Sequence, residues 1–176
     1  MDAVKILPHY TYSDYLHWEG KWEVIEGIPY AMSPAPAPKH QQIAVNLSTE
    51  FANPLKNCQQ CKVYQPVDYL IGDDTVLQPD LLIVCREITK KFLDFPPALV
   101  VEILSPSTAL KDRHTKYGLY QEQGIKYYII VDPDMKEAEV YLLNDGIYKL
   151  ENKGNNFIYE FLLEDCNAVV NFSEVW

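Results

Sequence analysis

No stretch of the chain stays apolar for the roughly 18 residues that a membrane span requires, and the opening "MDAVKILPHYTYSDYLHW" lacks the apolar core of a signal peptide. Low-complexity segments and internal repeats are missing too. Basic charge is scarce: 15 Lys and Arg face 25 Asp and Glu, a net charge of -10. That balance argues against broad, sequence-independent adhesion to nucleic acid, which depends on a basic surface. Together these absences predict a cytoplasmic protein with no membrane partner. With 48% hydrophobic and 23% charged residues in 176, one globular domain over 1–176 is expected, large enough to bury its apolar side chains without staples.

Cysteine is also sparse, with four residues: Cys58, Cys61, Cys85 and Cys166. The "CQQC" spacing supplies half of a metal site, but structural zinc usually takes a second pair with its own short spacing. Reduced thiols without zinc are therefore expected, as is usual in a cytosol. Charge is unevenly spread. Residues 131–176 carry ten acids against three lysines, whereas within 101–126 Lys111, Arg113, Lys116 and Lys126 outnumber Glu102, Asp112 and Glu122. Phosphate, if handled at all, is handled there.

What is present reads as a succession of short elements. "TYSDYLHW" predicts a short helix capped by Thr11 or Ser13. "KWEVIEGIPYAMSP" predicts a hairpin turning at Glu26-Gly27. "SPAPAPKH" should be extended and stiff, with Pro38 opening the next helix. In that helix His40, Ile43, Ala44, Leu47 and Phe51 form one inward stripe that ends near Pro54. Strands are expected in "CKVYQPVDYLI", "VLQPDLLIVC" and "ALVVEIL". A helix capped at Ser107 should then run to about Gln123, followed by the nearly continuous apolar strand "IKYYIIVD". A crossover helix between "LVVEIL" and "YYIIVD" makes those strands parallel neighbours or nearly so. The tail, turning at Asn144-Asp145-Gly146, predicts two or three antiparallel strands. The fold class is α/β, a mixed central sheet flanked by helices with hairpins added at both ends.

Two of these apolar strands each carry an acid. Alternation in "LVVEILS" puts Val100, Glu102 and Leu104 on one side, Leu99, Val101 and Ile103 on the other, so Glu102 faces an apolar layer. Asp80 follows Pro79, where a bend or sheet end is natural. One reading makes Asp80 a turn cap and Glu102 half of a structural ion pair. The other places a divalent cation between them, because unpaired buried carboxylates are costly and hard oxygen ligands suit magnesium. Asp112 and Lys116, four apart, share a helix face that can return toward Glu102, and His40 can approach from the other helix. A lysine beside metal-bound carboxylates can position a water and stabilise charge on a phosphoryl oxygen.

"QPDLLIVC", "PPALVVEILSPST" and "DRHTKYGLYQEQGIKYYIIVDP", together with "WEVIEGIPYAMSPAPAPKHQQIAVNL", resemble the "putative restriction endonuclease" family abundant in cyanobacteria, within the PD-(D/E)XK nuclease superfamily. The resemblance runs from about residue 8 to 145. It implies a restriction-endonuclease-like core and a metal-dependent endonuclease that hydrolyses DNA phosphodiester bonds, with Mg2+ or Mn2+ as cofactor; cutting two strands usually takes two active sites, which makes a homodimer natural. On this resemblance Pro79-Asp80 is the "PD" element, and Asp80, Glu102 and the backbone carbonyl of Ile103 hold the metal. Leu104 stands where the superfamily has its lysine. The family commonly carries that amine in the following helix, which points to Lys116, with Lys111 as the alternative. Glu23, and less so Glu26, offers a further ligand or hydrogen bond. His40 is placed near the site, with Gln41 flanking substrate, and Asp112 holds Lys116. The alternative function is a catalytically drifted nucleic-acid-binding or structural dimer that keeps the fold.

Overall fold

The computed structural model of the protein describes residues 6–33 and 35–176. The extended stretch expected over 33–38 includes Pro34, which lies outside the described residues, as do the first five residues of the chain. Helix α1 (Tyr12–Tyr15) is as short as its sequence suggests. Thr11 closes its first turn, donating from both its backbone N–H and its hydroxyl to the Asp14 carboxylate.

The first hairpin is β1 (Trp22–Ile25) against β2 (Ile28–Ala31), with Ile25 opposite Ile28. A two-residue loop between twisted strands wants left-handed backbone at both positions. Glu26 and Gly27 supply it, at φ 49° and 77°. Strand β1 also pairs with β5 (Thr75–Leu77), which pairs with β4 (Tyr69–Ile71), giving a small antiparallel sheet in the order β2-β1-β5-β4. A β-carbon on Gly27 would sit 2.2 Å from Nδ1 of the largely exposed His9 ring, which can swing aside. Gly27→Ala should therefore cost mainly its backbone strain, about 1–2 kcal/mol. Urea unfolding checks this; an unchanged midpoint would contradict it.

The large sheet has the order β10-β9-β8-β7-β6-β3, built from β3 (Lys62–Tyr64), β6 (Leu81–Val84), β7 (Leu99–Ile103), β8 (Tyr127–Asp132), β9 (Glu137–Asn144) and β10 (Ile147–Gly154). Its pair β7–β8 is parallel, with Glu102 opposite Ile130, as the crossover predicts. Its other pairs are antiparallel. Two runs that read as single strands are each divided between the sheets. "CKVYQPVDYLI" becomes β3 and β4, and "VLQPDLLIVC" becomes β5 and β6. Pro66 and Pro79 lie in the two gaps, where a residue without an N–H cannot continue a ladder. Pro79-Asp80 thus marks the passage from the small sheet to the large one.

Alternation along β7 is observed as read. Leu99, Val101 and Ile103 pack with Ile43, Leu47 and Phe51 of α2 (Pro38–Ala52) on one face. Val100 and Leu104 pack on the other face with Tyr120, Tyr128 and Ile130, the first of these on α3 (Tyr117–Glu122). Residues 137–162 hold three strands, within the expected two or three, and a fourth follows beyond them. Asp145 and Gly146 turn β9 into β10 at φ 52° and 77°, and β11 (Ile158–Leu162) with β12 (Asn167–Asn171) forms a separate hairpin. Phe161, Ala168, Val170 and Phe172 of that hairpin region pack with the α2 side of the sheet. The result is an α/β fold with a mixed central sheet flanked by helices and antiparallel hairpins at both ends, a restriction-endonuclease-like architecture. The expected free thiols are corrected: Cys58 is bonded to Cys166 and Cys61 to Cys85. Separations of 108 and 24 residues concealed these partners in the sequence.

Candidate active site

The helix after β7 departs from the one expected. Ser107 makes no cap; instead the Ser105 N–H donates to the Thr108 hydroxyl at 3.2 Å. Residues Lys111–Lys116 then form a π-helical turn that passes into α3. In an α-helix, residues five apart point about 140° away from each other, so Lys111 and Lys116 read as alternatives. The wider turn, bonded i to i+5, brings both to one carboxylate. The Lys111 ammonium pairs with Glu23 Oε2, and Lys116 Nζ lies 2.7 Å from Glu23 Oε1.

Lys116 is buried, 1% exposed, and is the hub of an acidic nest. Its ammonium also donates to Glu102 Oε1 at 2.9 Å and stands 3.4 Å from Asp112 Oδ1. Asp112 is itself buried, on the helix face that returns toward Glu102. The Tyr120 hydroxyl donates to the same Glu102 oxygen at 2.6 Å, and the Tyr128 hydroxyl donates to the Asp112 carbonyl at 2.7 Å. Glu23, wholly buried on β1, accepts the Gln78 N–H at 2.9 Å just before the Pro79 break.

Asp80 lies at the mouth of this nest. Its Oδ2 accepts the Ile103 N–H at 2.7 Å, which fastens the carboxylate to β7 next to Glu102. His40 Nε2 stands 3.4 Å from Asp80 Oδ1. His40, Asp80, Glu102, Ile103, Lys111 and Lys116 line one open cavity of about 890 Å3, with Asp112 in its wall. Glu23 sits behind it. Glu26 remains in its turn and Gln41 is exposed on α2. Neither has a hydrogen bond to the nest.

Burial alone would lower the Lys116 ammonium, but Glu102, Glu23 and Asp112 outweigh it and hold it well above the usual lysine range. Burial would raise Glu23, yet Lys116 and Lys111 keep it below the ordinary carboxylate value. For Glu102 burial wins over Lys116 and, with the neighbouring acids, pushes the carboxyl well up. Asp112 is raised for the same first cause. At His40 desolvation is outweighed by the hydrogen bond and charge of Asp80 and by the Ile103 carbonyl, so its imidazolium is favoured. Four carboxylates face two ammonium groups, and the deficit of positive charge appears in those shifts. Among the described residues, two buried side-chain polar atoms, His40 Nδ1 and Asp112 Oδ1, have no hydrogen-bond partner.

Sequence reasoning missed Tyr120 and Tyr128 as partners. Tyr120 was within reach of it, being four residues after Lys116 on the same helix face. It also missed the convergence of the cysteines. Among the described residues, the grouping of at least three His, Cys, Asp or Glu whose ligand atoms all lie within 4.8 Å is Cys58, Cys61 and Cys166, a cluster able to coordinate a metal ion. The acids of the nest are wider apart, with an ammonium among them.

The Uma2 family, described as "Putative restriction endonuclease", matches residues 12–165. The chain belongs to the Uma2 family. An uncharacterized protein of Synechocystis sp. is 32% identical over 147 residues, covering 78% of this chain and 76% of that protein. A crystal structure from Anabaena variabilis, described as a putative nuclease belonging to DUF820, aligns over 94% of this chain and 97% of its own with a TM-score of 0.74. At 17% identity that likeness concerns the fold. Uma2 membership thus relates the chain to nuclease-like proteins. Among its described residues no helix is long and apolar enough to cross a membrane.

Proposed function

We propose that the whole chain, as one domain of the PD-(D/E)XK type, is a magnesium-dependent endonuclease that hydrolyses DNA phosphodiester bonds in the cytoplasm, working as a homodimer. The observation that carries this reading is the Lys116 ammonium, delivered by the helix to within 2.9 Å of Glu102 in a cavity that Asp80 also lines. A lysine relocated from position 104 to the helix still meets the acid it must serve. Asp80, Glu102 and the Ile103 carbonyl would hold Mg2+, with Mn2+ able to replace it. The donor set fits a hard divalent cation, being all oxygen and short of positive charge. His40 Nε2, 3.4 Å from the Asp80 carboxylate, already stands against one of these groups as a cation would. When bound, the metal supplies Lewis-acid polarisation of the phosphate.

The chain's own groups do the remainder. Lys116, firmly charged, orients a water through its N–H donors and offsets charge growing on the phosphoryl oxygens; a general-base role is closed to it in this state. Glu23 holds Lys116 and Lys111 in place and touches no substrate. His40, whose imidazolium Asp80 favours, can deliver a proton to a leaving oxygen.

Leu104 favours a second reading, a nucleic-acid-binding dimer without cleavage. The decisive assay is nicking of supercoiled plasmid and of single-stranded oligonucleotides with Mg2+, Mn2+ or chelator. Cleavage that requires the metal and disappears in Asp80→Asn supports the nuclease. Binding of DNA without cleavage under every condition supports the second reading.

A further inference from the structure

The four cysteines lie outside the cleft and have no part in the chemistry proposed for it. Cys58 and Cys61 sit in the loop after α2, Cys85 directly follows β6, and Cys166 is in the turn between β11 and β12. The register of β3 against β6 pairs Lys62 with Val84. The next residues outward, Cys61 and Cys85, therefore stand face to face, with Cα atoms 3.8 Å apart. Cys166 reaches the same place from the C-terminal hairpin, its Cα 6.1 Å from that of Cys58. Sγ atoms of Cys58, Cys61 and Cys166 all lie within 4.8 Å of one another, and Cys85 is bonded to one of them. Three sulfurs share one small volume, and the fourth is bonded at its edge. Two bridges that served only as staples would need no such convergence, since each requires its own two sulfurs alone.

Two further features suit thiolates. The Cys61 N–H donates to the Cys58 sulfur at 3.2 Å, and a backbone N–H aimed at sulfur stabilises negative charge on it. Lys62 and Arg86 each follow one of these cysteines directly, and both line a shallow depression with Cys85. Their charge would offset the excess anionic charge of four thiolates around a divalent ion.

We propose that Cys58, Cys61, Cys85 and Cys166 form a tetrathiolate site for one Zn2+, taken up once the two disulfides are reduced. Four cysteine ligands make a closed structural set, and a tetrahedral sulfur cage selects zinc. The Cys58-Gln59-Gln60-Cys61 spacing provides one half; sheet register and the C-terminal hairpin bring in the other. Reduction by a dithiol transfers two electrons and two protons to each bridge and leaves two molecules of cyclised reductant. The four resulting thiols then release four protons as the ion binds. In either state the loop after α2, the end of β6 and the β11–β12 turn remain tied together, so the hairpin keeps its place in reducing and oxidising surroundings alike.

The test uses the full chain, reduced with a dithiol, freed of reductant without oxygen, and titrated with Co2+ as a spectroscopic stand-in and then with Zn2+. One Co2+ per chain with thiolate-to-cobalt charge-transfer absorption, displaced by one Zn2+, is expected. The signal should survive in Asp80→Asn, vanish in the Cys58→Ser/Cys166→Ser double variant, and be absent from the oxidised protein. If reduction alone unfolds the chain, recovery of native circular dichroism on adding Zn2+ supports the site, and failure to recover overturns it. Four free thiols in a folded chain with no thiolate–cobalt band also overturn it. So does a thiolate–cobalt band that is lost in Asp80→Asn, since only that band reports the sulfurs. None of these outcomes bears on the nuclease reading, which concerns other residues.

Discussion

Replacing Lys116 with methionine is expected to lower the free energy of unfolding at neutral pH by about 3–5 kcal/mol, the range found when one partner of a buried ion pair is removed. The side chain is 1% exposed and its ammonium is shared by Glu23, Glu102 and Asp112. Methionine fills most of the same volume, so the loss reports charge rather than a cavity. Acid should restore part of it. Burial already raises the carboxyls of Glu102 and Asp112 in the presence of Lys116, and without it they rise further. A carboxyl raised above its unfolded value favours the folded state at low pH, and that contribution is lost as pH climbs through the folded value. The variant should therefore gain on the wild type as pH falls from 7 toward 5. Adding Glu102→Gln to the variant should also recover stability at neutral pH. Urea titrations of the three proteins at several pH values measure both effects. A loss below about 1 kcal/mol at pH 7 would mean that the nest is not held by this amine.

Asp80→Asn is expected to reduce metal-dependent cleavage by about 100-fold or more while leaving stability within about 1 kcal/mol of the wild type. A metal ligand contributes several kcal/mol to a phosphoryl transition state, and each 1.36 kcal/mol is tenfold in rate. Stability should hold because the Asp80 side chain is partly exposed and an amide oxygen can still accept the Ile103 N–H. Single-turnover nicking rates, with folding verified in parallel, make the comparison. An unchanged rate would remove Asp80 from the reaction, and the metal reading with it. A large loss of stability would instead make Asp80 a structural cap.

Much of this site was legible in the string because it rests on local rules. Strand alternation put Glu102 on the layer with Val100 and Leu104, the helical stripe placed His40 beside Ile43 and Leu47, and Pro79 fixed a bend at Asp80. What the string hid depends on backbone departures and on distant chain segments. Lys111 and Lys116 read as rivals because ordinary helical spacing separates them, and only the wider turn makes them companions on Glu23. Glu23 entered only through the family resemblance; its burial comes from β5 and the helix folding over it, which no neighbouring residue announces. Pairing of the cysteines depended on a strand register and a hairpin more than a hundred residues away in the chain.

The passage of the chain between its two sheets at Pro79 has a mechanical meaning. Glu102 belongs wholly to the large sheet, whereas Asp80 stands on the seam where β5 gives way to β6. The β6–β7 register that sets Leu81 opposite Val101 also sets Asp80 beside Glu102, so the spacing of the two acids belongs to the large sheet, with the Ile103 N–H and Asp80 Oδ2 as its latch. A load on the small sheet must therefore unzip β6 from β7 before it parts the acids.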